Sequence, residues 1–346
     1  MTGTGAHRLI AVKEHFATGR FWDEIENLAV APGEEPEQAF VVNFPRDPVM
    51  RPRLSDVPTR LAEMDAAGVD LSVLSLNPPG VQLYADAARA TSLAREMNDT
   101  LADLIRRHPG RFAGLGAVAP QDPEAAAAEV RRVMGMPGFG GILIGSHTGG
   151  HYLDEPEMEP VLAALTEQDA TLYLHPRSPS PQMMAPFRDY GMVAALWGFQ
   201  AEAGTHAVRL ILSGALDRHP GLKIVLGHLG EGLPFWLWRL DNIYEKTYRW
   251  AGDLLGMVKL ELKPSEYVLR NFTLTTSGMY DQDVFEYALR KVGAERLMFA
   301  IDYPYEDSEV ATGFLAAADL TDEQRALISH ANAERLFRIP PRRDPR

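Results

Sequence analysis

Three histidines and one aspartate each follow a short apolar run. His15 comes shortly after Leu9–Val12, His175 directly after Thr171–Leu174, His228 just after Lys223–Leu226, and Asp302 directly after Leu297–Ile301. Imidazole and carboxylate are ligands that suit zinc, manganese or iron, and a catalytic centre of that kind uses three of them and keeps a position open. A polar ring set directly after four apolar strand residues needs a partner. A carboxylate that closes a buried strand is costly unless it meets a cation or a hydrogen-bond donor. Glu231, three residues past His228, either joins this group or simply begins the next helix. Arg239 is suited by its planar fork to clamp a substrate carboxylate, or else to pair with an acid on the surface. His108 and His219 each precede a proline and read as helix-end residues.

The elements that must position these groups alternate along the chain. Apolar, β-branched runs occur at Leu9–Val12, Leu71–Leu76, Phe112–Val118, Gly141–Ile144, Thr171–Leu174, Lys223–Leu226, Phe272–Thr276 and Leu297–Ile301. Helix-like stretches lie between them, among them Ser55–Ala67, Ala85–Arg107, Pro123–Met134, Glu157–Gln168, Thr205–Arg218, Asp281–Lys291 and Thr321–Phe337. Ser55 and Asp122 read as helix N-caps, with Pro123 at a first helical position. Apolar strands alternating with amphipathic helices imply a parallel sheet covered by helices, and eight such strands favour a closed (β/α)8 barrel of TIM type over an open doubly wound sheet. No glycine-rich phosphate loop follows any strand. In a parallel barrel the C-terminal strand ends converge on one face, so His15, His175, His228 and Asp302 are expected to meet around one centre. The long stretches 20–52 and 176–190 read as loops on that face, and the aromatic residues Phe21, Trp22, Phe187 and Tyr190 suit a flat apolar substrate, or else pack a lid.

The chain has 346 residues of which 46% are hydrophobic, enough for a large core, and barrels of this length form one domain. A net charge of −13 argues against nucleic acid or an anionic membrane surface as the main partner. No window approaches the ~20 apolar residues of a membrane span, and the N-terminus has no signal-peptide pattern. The absence of cysteine removes disulfides, thiolate metal sites and thiol nucleophiles together, and fits a cytoplasmic protein.

At these residues the chain resembles the amidohydrolase superfamily, in particular its branch of aromatic decarboxylases of the γ-resorcylate decarboxylase type. The similarity runs through Glu14-His15-Phe16-Ala17, Leu74-Ser75-Leu76-Asn77, Gln121-Asp122-Pro123, Tyr173-Leu174-His175-Pro176-Arg177 and Leu226-Gly227-His228 with Gly230-Glu231-Gly232-Leu233-Pro234. It continues in Trp238-Arg239-Leu240-Asp241, Thr275-Thr276-Ser277-Gly278, Asp302-Tyr303-Pro304 and Asn332-Ala333-Glu334-Arg335-Leu336-Phe337. The resemblance implies one divalent metal, zinc or manganese, no organic cofactor, and a homodimer or homotetramer. It implies metal ligands at position 13, His15, His175 and Asp302, an acid/base pair of His228 and Glu231, and Arg239, Phe21 and Trp22 near a small aromatic substrate. The implied reaction is non-oxidative decarboxylation of a hydroxylated aromatic acid, with Asp302 protonating the ring carbon that carries the carboxylate.

Position 13 departs from the family pattern, because an ammonium cannot ligate and repels a nearby divalent ion. Three arrangements remain open. The metal stays on His15, His175 and Asp302 with Lys13 turned away; it binds weakly or not at all, Lys13 holding an anionic substrate; or burial keeps Lys13 neutral as a base. Competing readings are a hydrolase or cyclodehydratase acting on an aromatic ester or amide, and a barrel without catalysis that binds an aromatic acid.

Overall fold

The computed structural model describes residues 8–27 and 46–341. Eight parallel strands run in chain order: β1 (Ile10–Phe16), β2 (Leu71–Leu76), β3 (Phe112–Ala117), β4 (Phe139–Gly145), β5 (Thr171–His175), β6 (Lys223–Leu226), β7 (Phe272–Thr275) and β8 (Leu297–Met298). The ring closes where β8 runs on beside β1. Asp302 N donates to Lys13 O at 3.1 Å, and His15 N to Tyr303 O at 2.8 Å. The expected (β/α)8 barrel is therefore what the chain forms. Among the described residues no helix is long and apolar enough to cross a membrane.

Two apolar layers hold the barrel. Ile10, Val12, Leu71, Val73, Ala113, Leu115, Tyr173, Val225, Met298 and Ala300 fill the interior, and the lower end is plugged by Leu336, Phe337 and Ile339. The opposite strand faces pack against the surrounding helices through Ala11, Leu74, Ile142, Leu172, Ile224 and Leu274. The strict alternation of the two sets is the period-2 geometry of strands buried on both faces.

Carboxylate caps set several helix starts. Asp86, Asp122, Asp281 and Asp307 accept from first-turn amides of the helices Ala87–Arg107, Pro123–Met134, Gln282–Val292 and Ser308–Ala317. The cap expected at Ser55 lies one residue on: Asp56 accepts from Thr59 N at 2.9 Å, while the Ser55 hydroxyl receives the Trp22 indole N–H at 2.6 Å. The expected strand Leu297–Ile301 keeps its regular ladder only at Leu297–Met298. Beyond it the Thr276 hydroxyl takes over, donating to Ala300 O and accepting from Ala300 N, both at 3.0 Å. The segment expected to be helical over Thr321–Phe337 divides into Asp322–Ala326, a wider turn at Leu327–Ala331, and Asn332–Leu336.

One irregularity decides the site. The β1–β2 register shifts between Ala11 and Glu14, so β1 carries an extra residue. Such a bulge re-aims the side chains beyond it. Ile10 and Val12 face the interior, and after the bulge Lys13 and His15 face it instead of Glu14.

Candidate active site

A cavity of about 200 Å³ opens at the C-terminal ends of the strands, lined at its polar end by Lys13, His15, His175, His228, Asp302 and Glu306. Pro78, Pro79, Ala194, Ala195, Phe199 and Met279 supply apolar walls. The four strand-end residues expected to converge do so. His15 Nε2 stands 3.2 Å from Asp302 Oδ1, and His228 Nε2 stands 3.2 Å from Asp302 Oδ2. The His15 and His175 rings meet edge to face at 5.0 Å.

Asp302 is presented by strained backbone, with φ at 83°. The turn that presents His228 is stranger still. His228, Leu229, Gly230, Glu231 and Gly232 all have positive φ, an unfavourable run held by His228 N donating to Ser277 Oγ at 3.2 Å and Gly230 N to Gly227 O at 2.7 Å. Within it, His228 Nδ1 and Glu231 Oε1 lie 2.6 Å apart, so Glu231 closes the turn and the helix Leu233–Ala251 begins only after it.

The His175 tautomer follows from its partner. Nδ1 lies 2.7 Å from Pro176 O, and a carbonyl only accepts, so Nδ1 carries the hydrogen and Nε2 a lone pair. That Nε2 is buried and without a hydrogen-bond partner among the described residues. A buried acceptor aimed into a cavity beside a second imidazole and a carboxylate is a metal ligand's environment. Candidate ligand atoms of His15, His175 and Asp302 all lie within 4.8 Å of one another. Ser75 Oγ, 3.1 Å from His15 Nδ1, can fix the His15 tautomer that leaves its Nε2 free to ligate. The residues present therefore fit a divalent ion held by His15, His175 and Asp302.

Lys13 lies inside this group. It is 2% exposed, and its ammonium donates to Asp302 Oδ2 at 2.6 Å and lies 2.9 Å from His228 Nε2. Burial works against charge on Asp302, yet Lys13, His15 and His228 hold its carboxyl well below the usual range. Burial likewise disfavours charge on His228, but Glu231 and the Asp302 hydrogen bond outweigh it and raise the imidazolium to about 9. His175 is held well below its ordinary value by burial and by Lys13.

Glu14 points the other way, accepting from Ile301 N at 3.1 Å, and burial raises its carboxyl to about 8 from an ordinary 4.5. The folded protein thus holds a proton on Glu14 that the unfolded chain releases above pH 4.5, so stability falls as pH rises from there through about 8. Glu14→Gln is expected to remove that decline, on the order of 4 kcal/mol between pH 5 and 9. Urea titrations of both proteins across that range check it, and parallel curves would refute it.

Three sequence-proposed substrate contacts lie elsewhere. Phe21 and Trp22 are 0% and 1% exposed, packed among the helix-facing core residues rather than lining the cavity, because two large rings on one helix bury more apolar surface there. Arg239 is exposed on the helix Leu233–Ala251 and does not line the cavity. Of the other loop aromatics, Phe187 does not line the cavity and Tyr190 is 91% exposed. The walls missed in the sequence have no motif of their own: Pro78, Pro79, Ala194, Ala195 and Met279 are apolar loop residues, and Phe199 lies in the first turn of the helix Gly198–Leu212. Tyr305 and Glu306, also at the cavity, directly follow the Asp302-Tyr303-Pro304 run.

The amidohydrolase family model matches residues 15–339. γ-Resorcylate decarboxylase of Polaromonas sp. is 34% identical over 340 residues, covering 95% of this chain and 98% of that protein. The crystal structure of 5-carboxyvanillate decarboxylase LigW from Sphingomonas paucimobilis is 44% identical, with a TM-score of 0.93 over 97% of this chain and 100% of that one. The 5-carboxyvanillate decarboxylase of Novosphingobium aromaticivorans, solved with manganese and 4-hydroxy-3-methoxy-5-nitrobenzoic acid, is 36% identical with a TM-score of 0.92, covering 97% of both chains.

Proposed function

The chain belongs to the amidohydrolase family, and from that premise we propose that it is a metal-dependent, non-oxidative decarboxylase of a hydroxylated aromatic acid. The observation that carries the reading is the unpartnered His175 Nε2, set beside His15 and Asp302 at the polar end of a cavity with apolar walls. The relatives that carry manganese support a divalent ion here. Manganese is the ion we propose, since its relatives' structures hold it and the set of two imidazoles and one carboxylate suits it as well as zinc. An ester or amide hydrolase is disfavoured, because the relatives over nearly the whole chain are carboxy-lyases.

The chemistry assigns each side chain a task. His15, His175 and Asp302 would hold a divalent ion, which when bound would supply Lewis acidity toward an oxyanionic substrate. Pro78, Pro79 and Phe199 confine the ring and keep water away. Asp302 rests ionised, so it acquires its proton only with substrate bound, from the neighbouring His228 imidazolium, which Glu231 holds protonated. Asp302 then passes that proton to the ring carbon bearing the carboxylate. The C–C bond breaks, its electrons restore the aromatic ring, and carbon dioxide leaves; water returns one proton to His228.

Carbon dioxide release from a panel of ortho- and para-hydroxylated benzoates, with added Mn2+ and after chelation, tests this. Activity on at least one phenolic acid, lost on chelation and in His175→Ala, is expected. Hydrolysis of aromatic esters or amides without any carbon dioxide release would overturn it.

A homo-oligomer is part of the same proposal. The helix Leu233–Ala251 exposes Phe235, Trp236, Trp238 and Trp250, the last at 75%, beside Leu254 and Leu255. Such an aromatic face is an association surface, and a second copy presents the matching face. Arg239 rides on this helix, so it belongs with the association face rather than with its own chain's cavity. Light scattering on the purified protein should give at least twice the chain mass, reduced by Trp238→Glu; an unchanged monomer mass in both would refute it.

A further inference from the structure

Lys13 gives this site a property that the ligand set alone does not have. Its ammonium sits on Asp302 Oδ2, and so takes one of the two oxygens of the only carboxylate in the proposed ligand set. The remaining donors, His15 and His175, are imidazoles and bring no negative charge to the ion. Lys13 Nζ and His228 Nε2 are 2.9 Å apart and both reach Asp302 Oδ2, so that one oxygen already serves two donors. The other carboxylates nearby are Glu231, already engaged with His228 Nδ1, and the cavity-lining Glu306. A divalent ion added to these groups would lie beside a buried cation that already occupies the one ligating carboxylate. Such a site holds an ion poorly and an ion plus an anion well, because inside a cavity of low polarity an uncompensated charge is expensive.

We infer that metal ion and aromatic acid bind here as a mutually dependent pair, and that Lys13 imposes the dependence. An entering carboxylate gives the Lys13 ammonium a new acceptor, which frees Asp302 Oδ2 from it and at the same time neutralises the ion. Coupling of this kind is reciprocal: whatever factor the acid adds to metal affinity, the metal adds to acid affinity. The inference rests on the metal-dependent reading above, and it concerns affinity rather than turnover.

The test is a Mn2+ titration of the intact protein, with free Mn2+ read by electron paramagnetic resonance, alone, with salicylate and with phenol. In the wild type, salicylate is expected to tighten Mn2+ binding at least tenfold, and neutral phenol less than threefold. Lys13→Met should bind Mn2+ alone at least tenfold more tightly than the wild type, with the salicylate effect reduced below threefold. Lys13→Arg, which keeps the charge, should retain the coupling. Should Lys13→Met not fold, Lys13→Gln, of similar length and without the charge, takes its place, with the same tighter Mn2+ binding and the same loss of coupling expected. Tight Mn2+ binding by the wild type without salicylate, or equal coupling in Lys13→Met, overturns the inference and leaves the decarboxylase reading standing. No Mn2+ binding by the wild type or Lys13→Met, with or without salicylate, overturns the metal-dependent reading itself.

Discussion

Asp302→Asn is expected to lower kcat on a hydroxylated aromatic acid by about 10³-fold or more while the protein stays folded. The amide has nearly the shape of the carboxylate, and its oxygen can still face His15 Nε2, 3.2 Å from the present Oδ1. What it cannot do is carry a proton acidic enough to give to carbon. Asp302 is the group on which Lys13, His15 and His228 converge, so its loss also interrupts the path by which the His228 proton reaches the ring. KM should change much less than kcat, because the proton transfer is made in the transition state and not in the bound substrate. Steady-state kinetics with the metal content of each sample measured alongside provides the check. A loss smaller than tenfold at equal metal content would remove Asp302 from the role of acid and pass it to His228.

How much of this was legible beforehand depends on which physical effect sets each feature. The barrel could be read from alternation: Leu71–Leu76 and Lys223–Leu226 match their strands to the residue, because runs buried on both faces leave a continuous apolar signal. The convergence of His15, His175, His228 and Asp302 followed from the topology, since parallel strands all end on one side. The orientation of Lys13 did not. Alternation from Ile10 and Val12 would send Glu14 inward, and only the extra residue of the β1 bulge turns Lys13 and His15 there instead. A bulge is a matter of ladder pairing with β2 and leaves no mark on β1 alone. Phe21 and Trp22 misled for another reason: the stretch read as a loop from residue 20 begins within the helix Gly19–Glu26, and an aromatic residue has the same composition whether it lines a cavity or packs beneath one. The left-handed run at His228–Gly232 was signalled only by its glycines, Gly230 and Gly232; nothing announced that His228, Leu229 and Glu231 would share that conformation.

Gly140→Ala is expected to act at the other end of the barrel and in the opposite sense, costing about 3–5 kcal/mol of stability with little effect on kcat. A Cβ at Gly140 would fall 2.2 Å from Phe337 O, 2.3 Å from its Cα and 2.4 Å from its carbonyl carbon. These are backbone atoms, so no rotamer change relieves the contact; β4 and the C-terminal segment must separate. That segment is held from both sides. Thr171 Oγ1 donates to Leu336 O at 2.8 Å, and the Phe337 ring, 1% exposed, is packed with Ile10, Val12 and Tyr173 inside the barrel. Moving it opens the floor of the interior and exposes apolar surface there. The reacting groups lie at the opposite strand ends, so the folded fraction should turn over at close to the wild-type rate. Urea unfolding, with kcat measured per folded chain, checks both halves. An unchanged midpoint would show that the C-terminal plug contributes little to the barrel. A lost kcat with an intact fold would show that the two ends are coupled through the interior, against the separation that Asp302→Asn and Gly140→Ala together are chosen to expose.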